Sequence, residues 1–235
     1  MTFLKSQTTA HETLDCPAWA ALSSRQSAFG QSTGKARAFL RDVAPFAAVD
    51  PEAAQVCCDL VDLVATRPEG IVIMQVEPQP TVPGVRVAEK SPGVQMIAKK
   101  NMASKEHPSV QRLSSADIPG MLALVALTKP GPFKRRTFEI GQYFGILAEG
   151  HLVAMAGERM KLPGYTEISA VCTHPHFRGR GYAAALVSHV ARRIEMRGEV
   201  PFLHTYASNT RAIALYRELG FELRCMTHIT RLVCY

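Results

Sequence analysis

No stretch of the sequence is apolar for long enough to cross a bilayer: runs such as MLALVAL at 121–127 stop far short of the roughly 20 residues a spanning helix needs. The opening MTFLKSQTTAHETLD is polar and lacks the apolar centre of a signal peptide. The six cysteines, Cys16, Cys57, Cys58, Cys172, Cys225 and Cys234, make no Cys-x-x-Cys pair and no His/Cys cluster at zinc spacing. Together these absences predict a soluble, cytoplasmic protein, with no membrane partner, whose cysteines are reduced and several of them packed in the core. Aromatics are 7% of the chain and do not interleave with its basic residues, which argues against a nucleic-acid partner. No internal repeat or low-complexity tract stands out.

What is present is a 235-residue chain with 47% hydrophobic and 20% charged residues, enough for one large domain or two small ones. The net charge of +7 is lopsided: residues 1–108 hold 11 basic and 11 acidic side chains, residues 109–235 hold 16 and 9. The whole excess lies in the second part, which is expected to meet an anion.

The prolines mark a division. Pro78, Pro80, Pro83 and Pro92 fall in EPQPTVPGVRVAEKSPG, and KKNMASKEHP ends on another. Proline stops helices and cannot donate to a sheet, so 77–108 reads as a Pro-rich linker with one short strand, GVQMIA. Residues 1–108 then form an N-terminal α/β region, with helical WAALSSRQSAF and EAAQVCCDLVDLVAT and a buried strand IVIMQVE. From 109 the order is a strand at VQRL, a capped helix over SSADIPGMLALVALT, and a loop with at most a helical turn at 129–141. A hairpin turning at Glu149-Gly150 and a strand YTEISAVCT follow. After the next turn come a helix, the strand VPFLHTYA, a helix from Asn209, and a closing strand pair over 221–235.

Within that order, HPHFRGRGYAAALVSHVARR places two arginines and two glycines at the mouth of a helix. Leu186, Val190 and Ile194 recur at helical spacing and Gly198 is the natural stop. A helix N-terminus carries free N–H groups and positive dipole; glycines admit close approach and guanidinium groups fit phosphate. A tight strand-to-helix turn with solvated arginines explains the same residues on physics alone. The pattern is neither a dinucleotide-binding GxGxxG nor a Walker A loop; GQSTGKA at 30–36 is one residue short and has Ala36 where a hydroxyl would hold magnesium.

RGRGYA (178–183) resembles the Arg/Gln-x-x-Gly-x-Gly/Ala signature of the GCN5-related N-acetyltransferases (GNAT), with Arg178, Gly181 and Ala183 at its fixed positions. SNTRAIALYRELGFE is similar to the family's second hallmark. The resemblance covers about 109–235, and VCTHPxxRGRGYA is similar to the FR47-like branch. It implies a GNAT fold of class α/β (α+β), with a mixed, mostly antiparallel sheet flanked by helices. Residues 109–235 would be the acyl-CoA-binding catalytic domain, and 1–108 a degenerate GNAT-like half.

The resemblance further implies acetyl-CoA, or another acyl-CoA, as co-substrate without a metal. Its pyrophosphate would rest on Gly179, Arg180, Gly181, Tyr182 and Ala183 beside Arg178, and its pantetheine arm along Ala170, Val171, Cys172 and Thr173. Asn209, a helix N-cap in its own right, would also touch the cofactor. Tyr216 matches the family's thiolate-protonating tyrosine, although Ala212 and Leu219 on its face equally suit a core tyrosine. Glu167 matches the base of the histone-acetylating branch. Glu158 is its rival, a solvated carboxylate is an equal reading, and a water chain serves many members. His174 and His176, without a third ligand, read as loop residues, and Cys172 as a packed thiol. Lys134, Arg135 and Arg136 border the acceptor pocket in this fold, and a solvated basic face accounts for them better than carboxylate capture. The reading is an N-acetyltransferase acting on a small-molecule or peptide amine by direct transfer in a ternary complex, as a monomer or homodimer. The alternative is a non-catalytic CoA-binding or sensing module of the same fold.

Overall fold

The computed structural model describes residues 12–53, 57–99 and 107–235. The first part runs α1 (Pro17–Leu22), β1 (Gly30–Thr33), β2 (Ala36–Phe39), β3 (Phe46–Val49), α2 (Cys57–Ala65), β4 (Ile71–Gln75) and β5 (Val85–Ala98). The second runs β6 (Gln111–Arg112), α3 (Ile118–Thr128), β7 (Tyr143–Ala148), β8 (His151–Leu162), β9 (Tyr165–Thr173), α4 (Tyr182–Glu195), β10 (Val200–Tyr206), α5 (Thr210–Glu218) and β11 (Phe221–Cys234). No helix among the described residues is long and apolar enough to cross a membrane.

Local chemistry explains several elements. GQSTGKA is a β-hairpin: Gly34 turns at φ +51°, and β1 pairs antiparallel with β2. The α3 helix is entered through a reciprocal cap, in which Ser114 Oγ accepts from Ala116 N–H and the Asp117 carboxylate accepts from Ser114 N–H at 2.7 Å. Glu149 and Gly150, at φ +52° and +77°, make the two-residue turn between β7 and β8.

Among the described residues, eleven strands form one sheet in the order β1-β2-β3-β4-β11-β5-β10-β9-β8-β7-β6. Only β3–β4 and β9–β10 are parallel. Each of these pairs is joined by a helix, α2 or α4, and each follows an antiparallel run of strands. The two parts therefore repeat one strand–strand–strand–helix–strand order. Between them the closing strands are exchanged: β11 pairs with β4 of the first part, β5 pairs with β10 of the second, and β5 and β11 pair with each other along Val85–Ala98 and Phe221–Cys234. Helices cover both faces, α4 and α5 on the core around Leu186, Val190 and Leu203, α3 on that of Met121 and Met155, and α1 on that of Phe46 and Met74.

Two expectations are corrected here. The segment read as a Pro-rich linker carries the 14-residue strand β5, and the closing strand pair is the single 14-residue strand β11. Pro92 is tolerated because its carbonyl accepts Ala207 N–H on the β10 side, just past the last β10–β5 pair, so its missing N–H faces the end of β10 and leaves the β11 ladder intact. The strand β11 cannot fold back on itself because β4 and β5 hold its two edges.

Candidate active site

The site begins where two parallel strands part. The strands β9 and β10 pair only from Tyr165–Ile168 and Val200–Leu203. Beyond that, Ala170 takes a left-handed φ of +55° and the β8–β9 register jumps between Met155 and Gly157. This bulge turns the end of β9 away from β10. The split opens a cavity of about 880 Å³, within the size range of ligand sites. Ser169, Ala170, Val171, Cys172 and Thr173 line one side of it, and His204, Thr205 and Tyr206 another. Thr173 Oγ1 is buried without a partner among the described residues.

The turn from β9 into α4 forms the cavity's far end. Gly179 and Gly181 sit at φ +79° and +77°, and no protein atom lies within 4 Å of where a Cβ would stand on either. Backbone conformation, not crowding, requires these glycines. The N-terminus of α4 has no side-chain cap, and Gly181, Tyr182, Ala183 and Ala184 line the cavity with Arg178 and Gly179. Its free amides and dipole therefore face that space. Arg180 does not line it; its guanidinium stacks on Phe177 at 4.8 Å.

Opposite lie α5 and its cap. Asn209 Oδ1 accepts Ala212 N–H at 3.2 Å, as the N-cap reading expected, and Asn209 also lines the cavity. The Tyr216 ring is buried in the α4/α5 core, edge-on to Phe221 at 6.1 Å, yet it too reaches the cavity wall. Burial pushes its phenol up to about 12. The hydroxyl is a donor at every physiological pH.

Neither carboxylate anticipated as base lines the cavity. Glu158 is fully buried and receives Arg197 at 2.8 Å and Lys161 at 3.0 Å. Glu167 is also fully buried, held in a fork by Arg159 Nε at 2.8 Å and Nη2 at 2.5 Å, with His204 Nδ1 at 2.7 Å. Burial alone would raise its pKa; the Arg159 charge and the His204 hydrogen bond outweigh it and bring the group to about 2. His204 Nε2 meets Gln95 Nε2 at 3.0 Å, while Gln95 Oε1 accepts Arg224, which in turn pairs with Asp15. Since Gln95 Nε2 also donates to Leu14 O, the amide orientation is fixed and His204 carries its proton on Nδ1. The network crosses the sheet from the α1 side to the cavity.

This network sets a stability expectation. Glu167→Gln removes the charge that matches a buried guanidinium, and should cost about 3 kcal/mol in urea unfolding. Because the folded pKa lies below the unfolded one, the carboxylate's contribution is complete above the usual value of 4.5 and disappears as pH falls towards 2. The wild-type stability curve should therefore drop in that window more steeply than the variant's.

The basic loop keeps a solvated face, with Arg135 exposed, and its other two cations are paired at the surface. Arg136 pairs with Asp42 at 3.3 Å and with Glu139 at 2.9 Å, and the Lys134 ammonium donates to Arg41 O and lies 3.9 Å from Glu69. These contacts fasten the loop after α3 to the first part of the chain. His174 Nδ1 accepts the His176 N–H at 3.3 Å within the turn. Burial pushes the Cys172 thiol up to about 11, against the lowering effect of its hydrogen bond with Thr128. The sequence reading missed Arg159, His204 and the contribution of the first part, whose Phe46, Glu69, Val72 and Met74 line the cavity. One signal was available: Glu158, Arg159 and Lys161 put charge into a strand that is apolar from Leu152 to Ala156.

This arrangement of split strands, glycine turn and uncapped helix can be compared with known proteins. The model of the FR47-like protein family matches residues 143–231. A crystal structure from Novosphingobium aromaticivorans DSM 12444, described as an acetyltransferase of the GNAT family, is 40% identical; it covers 94% of this chain and 98% of its own, with a TM-score of 0.88. The chain belongs to the GNAT family of acetyltransferases. The transferase is also 30% identical over 124 residues to the ribosomal protein bS18-alanine N-acetyltransferase of Salmonella typhimurium, a match covering 48% of this chain and 80% of that one. A GCN5-related N-acetyltransferase from Kribbella flavida shares the fold at 17% identity, with a TM-score of 0.60 over 98% of this chain.

Proposed function

We propose that this transferase moves an acetyl group from acetyl-CoA to a primary amine, directly and within one ternary complex, in the cytoplasm. The observation that carries the reading is the uncapped α4 N-terminus opening, through a turn whose two glycines hold positive φ, onto a cavity beside the free edge of β9. The residues suit the co-substrate: amides of 179–183 and Arg178 for the pyrophosphate, the β9 edge at 170–173 for the pantetheine amides, and Asn209 beside them. Thr173 Oγ1, buried without a partner among the described residues, is a further group such a ligand could satisfy. Arg180, stacked on Phe177, supplies long-range charge rather than contact. Bound there, acetyl-CoA supplies the acyl group as an activated thioester.

Tyr216 is the proposed hydrogen-bond donor to the leaving thiolate, in place of the full proton donor that the resemblance implied. With its pKa raised to about 12, it donates a hydrogen bond to a departing thiolate rather than surrendering its proton outright, since an ordinary thiol sits at about 8.5. Glu167 and Glu158 are committed to guanidinium and ammonium partners. The acceptor's proton is therefore assigned to water in the cavity, and Glu167 becomes the group that orients Arg159 and His204. The relatives named as bS18-alanine N-acetyltransferases support a protein or peptide amine as acceptor. The repeated strand order supports the first part as a GNAT-like half without a phosphate cradle, serving as the acceptor wall.

Calorimetric titration with acetyl-CoA tests this. The wild type should bind in the micromolar range, and Arg178→Ala should weaken binding by about tenfold or more, as loss of a charge-assisted hydrogen bond does. Absence of binding to the folded wild type overturns the reading.

A further inference from the structure

The acceptor side of the cavity has its own built polar group. Arg159 lies on the wall with its side chain 9% exposed. Nε and Nη2 are spent on Glu167, and the guanidinium lies over the Phe46 ring at 4.4 Å. Among the described residues Nη1 has no partner, yet it is not one of the solvent-shielded orphan atoms, so it keeps access to the cavity. Fork and stacking together fix the plane and direction of that remaining donor. An apolar patch of the same cavity is formed by Phe46, Val72 and Met74 from β3 and β4 and Ile229 from β11, while Glu69, Glu89, Lys134 and Arg231 also line the cavity.

Resting on the acyl-transfer reading, we infer that Arg159 Nη1 is a specificity-determining donor for an oxygen on the carbon next to the acceptor amine, with the apolar wall taking that carbon's side chain. The substrate class is then an α-amino acyl group with an apolar side chain. A free amino acid and the first residue of a peptide both offer it. The charge arrangement separates them. Glu167 already neutralises the Arg159 guanidinium, so a neutral peptide carbonyl is satisfied there without adding a second buried carboxylate. A simple alkylamine leaves Nη1 with nothing to bind.

The test is equilibrium binding of three acetylated probes without acetyl-CoA: N-acetyl-phenylalaninamide, N-acetyl-phenylalanine and N-acetyl-phenethylamine. The amide should bind about tenfold or more tightly than the carbonyl-free probe, and tighter than the acid. Arg159→Met alone strands the Glu167 charge, so the informative variant is Arg159→Met with Glu167→Gln, which leaves no buried charge unmatched. In it the preference for the carbonyl probes should fall to near unity, with melting still cooperative. Preference for the acid over the amide would retain Arg159 as the donor and assign the free amino acid as source. Equal affinity of all three for the wild type, no binding of any, or a preference that survives in the double variant overturns the inference. An acetyl-CoA titration on the same samples separates the two readings: intact acetyl-CoA binding beside a failed probe series removes the Arg159 role alone.

Discussion

Gly181→Val is expected to weaken acetyl-CoA binding by about a hundredfold or more while leaving the protein folded. Two effects add. At φ +77° a β-branched side chain is strained by roughly 1–2 kcal/mol, which pulls the turn away from its present geometry. The side chain that remains would stand above the free amides of α4, where no protein atom now lies within 4 Å. The same open surroundings mean the valine displaces no core group, so the melting temperature should fall only by the strain. Calorimetry and thermal melts on one preparation check both halves of the expectation. Full affinity in Gly181→Val would remove the cradle from the mechanism, since no other feature assigned to the pyrophosphate depends so directly on that backbone.

Tyr216→Phe is expected to lower kcat by about a hundredfold with little change in the KM for acetyl-CoA. The substitution keeps the ring that packs in the α4/α5 core and removes only the hydroxyl at the cavity wall, so stability should hold. Because burial lifts the phenol to about 12, the wild-type rate should show no loss from tyrosine ionisation below pH 10. Steady-state kinetics across pH on both proteins measure this. An unchanged kcat would return Tyr216 to the status of a core residue.

The legible parts of this molecule are those whose instructions are local. The run from Tyr165 to Glu195 encodes a strand, a turn that needs left-handed residues, and an amphipathic helix within a short span, and the glycine turn at the cavity is built from that span alone. Asn209 as a cap and Glu149-Gly150 as a turn were legible for the same reason. The strand β5 was hidden because Pro92 argues against a central strand unless the end of β10 is known. The small-residue strands β2 and β3, with ARAF and FAAV, have too little alternation to announce themselves. Glu167 was legible as a carboxylate on the right strand, but not as the partner of Arg159, because that fork depends on the register between β8 and β9 after a bulge. The part of the cavity lining that joins residues 46–74 to 229 across the exchanged strands was not legible at all.

The exchange of closing strands also governs how the chain must be assembled. As the polypeptide is made, β4 and β5 are complete long before β11, the strand that fills the place between them, so β4 waits with one unpaired edge and β5 with both. Its nearest completed neighbours are local hairpins; its decisive contacts are among the most distant in the sequence, which makes for slow folding and an exposed intermediate. Once β11 is in place, the same zipper makes the two parts one cooperative unit. Neither can drift, be shuffled into another protein or be trimmed away without opening the sheet of the other, and the cavity between them is inherited only as a whole.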